Sequence, residues 1–225
     1  MIAAAGSGDR LGAGGPKALV GLAGRPLVAW CLDAFAAAET VARAVIAAPP
    51  GHEAEIAALA PDGLEAEVVA GGSSRSESVA AALALAETEV VAVHDAARPL
   101  VTAELIDALA ASLARSPEAA GVIAATPITD TVKRVGDDRT IARTEDRERL
   151  WAAQTPQVFR AEALREAHAS DPGHSGAATD DAILVERMGG KVLVEPAPAA
   201  NLKVTTTADL RLAELLIGAR GRLPL

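Results

Sequence analysis

The stretch M-I-A-A-A-G-S-G-D-R-L-G-A-G-G-P-K, Met1 to Lys17, starts as a short apolar strand and breaks directly into a loop dense in glycine. An apolar segment of helical period, Pro26 to Ala38, follows it. The same succession of strand, polar turn and helix recurs down the chain. Strands are expected near Met1 to Ala5, Ala42 to Ala48, Ala66 to Ala70, Val90 to His94, Gly121 to Ala125 and Val192 to Glu195. Helices are expected near Pro26 to Ala38, Ala54 to Leu59, Glu77 to Glu87, Ala103 to Arg115, Ala161 to Ala169, Asp180 to Met188 and Ala208 to Ala219. Alternation of β-branched runs with Ala/Leu segments is the pattern of a mostly parallel sheet flanked by helices, so the class is α/β. Helix starts are marked at Thr102 and at Ser76, each a hydroxyl ahead of an apolar stripe.

Of the 225 residues, 50% are hydrophobic and only 2% aromatic, so the core is expected to be Ala, Val, Leu and Ile in one main domain over residues 1–225. Trp30, Trp151, Phe35 and Phe159 are the only rings, which limits stacking sites. The formal charge of −9 repels a polyanionic backbone and argues against nucleic acid as a partner. Affinity for phosphate must come from local arrangements. The single cysteine, Cys31, lies in an apolar stretch, which removes a disulfide framework and a zinc cluster and reads as a small buried hydrophobe. No basic region precedes an apolar one at the start, and Gly, Pro or charge interrupts each apolar run. A cytoplasmic protein with no membrane partner is expected.

One region departs from the rhythm. Thr131 to Thr144, T-V-K-R-V-G-D-D-R-T-I-A-R-T, reads as two short alternating runs about a Gly-Asp-Asp turn, a hairpin within about residues 128–150. Its faces carry Lys133, Arg134, Arg139 and Arg143. A two-stranded ribbon is marginal alone in water, so it either lies against a second subunit or forms a solvated edge of its own chain.

Three stretches carry chemistry. In the loop from Ala3 to Lys17, glycines let backbone N–H groups turn toward an anion, while Arg10 and Lys17 supply charge. It is not a Walker loop, because Lys17 follows Pro16 and Ala18 stands where a magnesium-binding hydroxyl is needed. Nor is it a dinucleotide fingerprint, because Leu11 occupies the third glycine position. In V-V-A-V-H-D-A-A-R-P, Val90 to Pro99, an apolar strand ends in Asp95 and Arg98, on the rim where open parallel sheets bind ligands. Asp95 can hold magnesium and Arg98 can pair with a phosphate or a hydroxyl, while His94 reads as structural. In G-G-S-S-R-S-E-S-V, Gly71 to Val79, glycines and hydroxyls again sit between strand and helix, where they suit either the edge of a small base or a helix-capping loop without a ligand. Polar clusters at Gln154 to Gln157, Thr179 to Asp181 and Asn201 to Thr205 end other elements.

Taken in order, AAAGSGDRL, PK, GGSSRSESV, VHDAARP, TDTVKR, TPQVF, TDDA and NLKVTT resemble the 2-C-methyl-D-erythritol 4-phosphate cytidylyltransferase family over nearly the whole chain. The resemblance implies a Rossmann-like sheet with a protruding hairpin that serves as a dimerisation arm. It implies transfer of CMP from CTP to a sugar-alcohol phosphate, with Mg2+ as cofactor, in the non-mevalonate route to isoprenoid precursors. By motif it gives Arg10, Lys17 and Lys203 catalytic roles and Asp95 the metal. It sets the nucleotide against Ala4, Ala5, Gly6, Gly72 and Ser78, and the acceptor near Arg98, Thr131, Arg147, Thr155 and Thr179, with Thr131 and Arg147 acting from a partner subunit. Three departures stand out: Ala3 replaces a usual Pro, Ala200 replaces a frequent acid, and the first strand is short. Ribitol-5-phosphate cytidylyltransferases share fold, nucleotide and loops, but HDAAR here, against an HDSVR-like stretch, favours methylerythritol phosphate. A nucleotide-binding regulator without catalysis is disfavoured by the joint presence of Arg10, Lys17, Asp95 and Lys203.

Overall fold

In a computed structural model, residues 1–8, 11, 14–171 and 179–219 are described. Seven strands form the central sheet: β1 Ile2–Ala3, β4 Arg43–Ala48, β5 Glu65–Ala70, β6 Val90–Asp95, β7 Gly121–Pro127, β10 Trp151–Arg160 and β11 Val192–Pro196. Two small ribbons stand outside it, β2 Gly21–Leu22 with β3 Arg25–Pro26, and β8 Lys133–Val135 with β9 Ile141–Thr144. The order across the sheet is β11-β7-β10-β6-β1-β4-β5. Six strands run parallel, and β10 alone is antiparallel, between β6 and β7.

The helices are α1 Leu27–Ala37, α2 Glu53–Ala57, α3 Arg75–Leu83, α4 Ala103–Ala114, α5 Ala161–Ser170, α6 Ala182–Arg187 and α7 Thr207–Ala219. In α4 the residues at helical spacing, Leu105, Ile106, Leu109 and Leu113, are all buried, and Thr102 caps the first turn by accepting from the Leu105 N–H at 3.3 Å. In α3 the expected cap moves. Ser74, not Ser76, accepts from the Glu77 N–H, because the helix begins two residues earlier than the hydrophobic stripe suggests.

The central strands are buried on both faces, as a parallel sheet demands: Ala44 to Ala48 are each at most 3% exposed. The core is the aliphatic mixture the composition implies, with Phe35 and Phe159 filling two of its largest positions. Small side chains allow close approach. At Gly121 an added Cβ would stand 2.3 Å from the Phe159 ring.

The sequence reading missed β10. Pro156 within W-A-A-Q-T-P-Q-V-F argues against a central strand, since it cannot donate to a ladder. The fold accommodates it at a register shift between Ala153 and Gln157, so the β6 ladder begins only at Gln157 opposite Val93. Within that irregularity the Thr155 hydroxyl meets the Asp95 N–H at the end of β6, and the Gln154 side chain meets Thr126 and Asn201. The hairpin is present but shorter than expected, and Val135 and Ile141 on it are 55% and 62% exposed. It leaves the carboxyl end of β7, on the same rim as the ends of β1 and β6. No helix among the described residues is long and apolar enough to cross a membrane.

Candidate active site

Parallel strands β1, β4, β5 and β6 bring their carboxyl ends to one rim, and the segments after β1, β5 and β6 line a cleft of about 660 Å3. Its described lining includes Ala4, Ala5, Gly6 and Lys17 from the first loop, Gly72 and Ser78 from the third stretch, Asp95 from β6 and Lys203 from the segment before α7. The first loop and the segment before α7, far apart in the chain, thus face one space.

The first loop is held in shape by its own backbone. The Lys17 N–H donates to the Gly6 carbonyl at 3.0 Å, and Gly8, with φ +79°, packs so tightly on Gly15 and Lys17 that a Cβ would meet three backbone atoms within 3.2 Å. Across the cleft, Ser78 Oγ donates to the Ser74 carbonyl at 2.8 Å and accepts from the Gly72 N–H at 3.1 Å. Gly71 packs against Ala5, where an added Cβ would lie 2.4 Å from the Ala5 Cβ, so the two walls touch at their base.

Asp95 is the only carboxylate among the described lining residues. Its Oδ1 accepts from Arg75 Nε at 2.8 Å and its Oδ2 from Lys203 Nζ at 2.6 Å. Burial by itself would raise its pKa, but the Arg75 and Lys203 cations outweigh burial and hold the carboxyl well below the usual range. Among the described lining residues, Lys17, Arg75 and Lys203 stand against this one carboxylate, local positive charge in a chain of net −9.

Lys203 is placed by backbone and cap. The Val204 N–H donates to the Ala97 carbonyl at 2.8 Å, and Thr206 and Asp209 bond reciprocally at the start of α7, with Asp209 also holding the Thr205 hydroxyl at 2.6 Å. That hydroxyl keeps the Asp209 pKa down at about 2.

Behind Asp95 runs a buried polar chain. His94 Nε2 lies 3.1 Å from the Arg98 carbonyl, His94 Nδ1 lies 3.1 Å from Thr155 Oγ1, and Thr155 Oγ1 accepts from the Asp95 N–H at 3.0 Å. Burial pushes the His94 pKa down to about 3, so the ring is neutral and structural. Arg98 does not line the cleft: its Nη1 donates to the Asn201 carbonyl at 2.9 Å, its Nη2 reaches toward the Ala153 carbonyl, and its Nε is buried without a partner. Asn201 in turn donates to Gln154 Oε1 and to the Thr155 carbonyl.

Thr131 and Arg147 are exposed on the hairpin arm and do not line the cleft of their own chain; Arg147 Nη1 donates to the Thr129 carbonyl. Thr179 is exposed at the edge of the described residues, and Arg10 lies outside them. Cys31 is fully buried with its thiol pushed up by desolvation, as a small core residue.

Sequence reasoning passed over Arg75, Asp181 and His168. Arg75 Nη1 donates to Asp181 Oδ2 at 2.7 Å, and Asp181 Oδ1 lies 3.1 Å from His168 Nε2. The signal was present in part: Arg75 is the one cation of GGSSRSESV and Asp181 the second acid of T-D-D, though 106 residues separate them.

The donor chemistry of the cleft fits a magnesium ion that arrives with a nucleotide. Mg2+ favours hard oxygen, and commonly uses one or two carboxylates together with substrate phosphates and water. Asp95 is such a carboxylate, and no group of three His, Cys, Asp or Glu residues able to form a protein cage exists among the described residues.

Cations around one carboxylate, beside a glycine-rich loop at the carboxyl rim of an α/β sheet, suit a nucleotidyltransferase, which needs positioning and charge more than a covalent nucleophile. The family model described as IspD: 2-C-methyl-D-erythritol 4-phosphate cytidylyltransferase matches residues 1–219. The 2-C-methyl-D-erythritol 4-phosphate cytidylyltransferase of Prochlorococcus marinus (strain MIT 9313) is 44% identical over 223 residues, 98% of each chain. Among solved structures, the enzyme of that name from Thermus thermophilus is 34% identical with a TM-score of 0.77, and 96% of each chain is covered. The 4-diphosphocytidyl-2C-methyl-D-erythritol synthase of Anaerococcus prevotii is 26% identical with a TM-score of 0.83 at the same coverage. The chain belongs to the 2-C-methyl-D-erythritol 4-phosphate cytidylyltransferase family.

Proposed function

We infer that the protein transfers CMP from CTP to 2-C-methyl-D-erythritol 4-phosphate, giving 4-diphosphocytidyl-2-C-methyl-D-erythritol and pyrophosphate in isoprenoid precursor synthesis. The observation that carries this reading is the single cleft onto which the glycine loop, the Gly72 and Ser78 wall, Asp95 and Lys203 converge. An oxygen of the acceptor phosphate attacks the α-phosphorus of CTP, and the bond from that phosphorus to the bridging oxygen of the β-phosphate breaks in line. Charge then accumulates on non-bridging and leaving oxygens.

Lys17, and Arg10 by its motif, are assigned to that charge, which grows toward the transition state. Lys203 is assigned to the phosphates beside Asp95. Gly72 and Ser78, whose N–H and hydroxyl bond each other, form the wall opposite Ala4 and Ala5, where the cytosine is placed. Asp95 is the carboxylate for magnesium, which when bound neutralises charge on the triphosphate oxygens.

The acceptor is assigned to the side of the cleft toward Arg98, Thr155 and Thr179, completed by Thr131 and Arg147 from the partner's arm. Support for a homodimer is the exposed arm itself, which leaves the catalytic rim with Val135 and Ile141 uncovered. The reaction is placed in the cytoplasm, where CTP and phosphorylated acceptors are held.

The test is direct. Purified protein with CTP and Mg2+ is given methylerythritol 4-phosphate or ribitol 5-phosphate, and pyrophosphate release is followed. Faster turnover of ribitol 5-phosphate would overturn the acceptor assignment, and absence of turnover with both would overturn the catalytic one.

A further inference from the structure

Arg75 lines the cleft, yet its donors are directed at protein. Nε donates to Asp95 Oδ1, Nη1 donates to Asp181 Oδ2, and Nη2 is buried with no hydrogen-bond partner. Asp181 is 1% exposed and is itself held from the far side by His168. An arginine clamped between two carboxylates, one of them rigidly buried, is poorly placed to reach out to a ligand and well placed to fix a neighbour.

The two oxygens of Asp95 therefore have unlike partners. Oδ1 faces the clamped guanidinium. Oδ2 faces Lys203, whose side chain is 40% exposed and is a point charge on a flexible stem. Phosphates entering the cleft compete with Asp95 for the Lys203 ammonium. Were Lys203 the only cation on Asp95, its departure would leave a carboxylate that is 10% exposed without a counter-charge. With Arg75 in place, the carboxylate keeps one partner and a fixed orientation while Oδ2 opens.

We propose that Arg75, anchored by Asp181, is the positioning residue that presents Asp95 to the metal–nucleotide complex, and that Lys203 is the partner exchanged for it. The inference rests on the assignment of magnesium to Asp95 made above. Arg75 acts through Asp95 and touches neither substrate.

The test is calorimetric and needs no turnover. CTP is titrated into the full-length protein without acceptor, once in excess Mg2+ and once in EDTA, and the ratio of the two dissociation constants measures how strongly the metal couples to nucleotide. Arg75→Met is expected to reduce that ratio about tenfold or more, the scale on which residues supporting a metal ligand act. Binding in EDTA should change by less than about threefold, since Arg75 contributes no contact to the nucleotide. Asp181→Asn, which keeps size and removes the anchoring charge, should move the ratio in the same direction, and Arg75→Lys, unable to span both carboxylates, should restore only part of it. Circular dichroism establishes which variants fold, and a folded variant among these three with an unchanged ratio overturns the proposal. Equal losses in Mg2+ and in EDTA would also overturn it, because they would make Arg75 a phosphate contact. A wild-type ratio near one would instead defeat the magnesium assignment, so the two failures are distinguishable.

Discussion

Replacing Thr155 by valine separates two roles for its hydroxyl, contact with the acceptor or support of Asp95 from behind. Thr155 is 4% exposed and His94 is fully buried. The Arg98 carbonyl can only accept, so His94 Nε2 carries the ring proton and Nδ1 is a bare acceptor. The Thr155 hydroxyl therefore donates to Nδ1 and accepts from the Asp95 N–H. Valine keeps the shape and strands both buried groups, each at about 1–3 kcal/mol, against which the extra buried methyl returns about 1 kcal/mol. The net loss is about 1–5 kcal/mol, centred near 3, and a chain of this size loses about 2–4 °C of Tm per kcal/mol, hence roughly 6–12 °C. Thr155→Ser keeps the hydroxyl and should cost about 1 kcal/mol. Urea unfolding of the ligand-free protein near pH 7.5 reads the difference. If the valine variant is as stable as the serine variant and only the acceptor KM rises, the relay is refuted and the hydroxyl belongs to the acceptor.

Gly71→Ala would put a Cβ 2.4 Å from the Ala5 Cβ, where carbons need about 3.5–4.0 Å, so the walls of the cleft must part; we expect about tenfold weaker CTP binding by calorimetry and a stability loss of about 1–3 kcal/mol. Burial holds the folded His94 pKa at about 3, below its ordinary 6.5, so its contribution to stability is complete above pH 6.5 and is lost as the pH falls toward 3. In unfolding curves from pH 7 to 5 His94 should contribute a loss approaching about 1.4 kcal/mol per unit, on top of that from the buried Met1 amino group, and His94→Gln should lessen the slope by that amount; an equal slope in that variant would contradict the neutral histidine. Lys17→Ala should lower kcat far more than CTP affinity, and parallel losses would deny it a transition-state role. Mixing Lys17→Ala with Arg147→Ala protomers should restore roughly a quarter of wild-type activity if sites are shared across a two-fold dimer, and no recovery would place both residues in one chain's site.

Much of the cleft was legible because its parts are local. A strand that ends in Gly-rich or polar residues must deliver them to the carboxyl rim of a parallel sheet, so the Gly6 to Lys17 loop, Gly72, Ser78 and Asp95 could be set on one face by counting strands. Thr102 capping α4 was legible for the same reason: a cap and its helix are three residues apart. Strand β10 was not, because Pro156 gives a local signal against a strand, and only pairing on both sides, with a register shift, overrides it.

The sequence by itself determined the α/β class, the aliphatic core, the absence of a disulfide framework and the glycine-rich loop after the first strand, since each follows from composition or from spacing within a turn or two. Tertiary structure alone decided how the charges pair. Asp95 could be named from its strand end, but that Arg75 and Lys203 hold its two oxygens, and that Asp181 and His168 stand behind Arg75, depends on chain segments up to 108 residues apart meeting at one rim. Coulomb interactions act through space, and their partners are set by the sheet order and not by position along the chain.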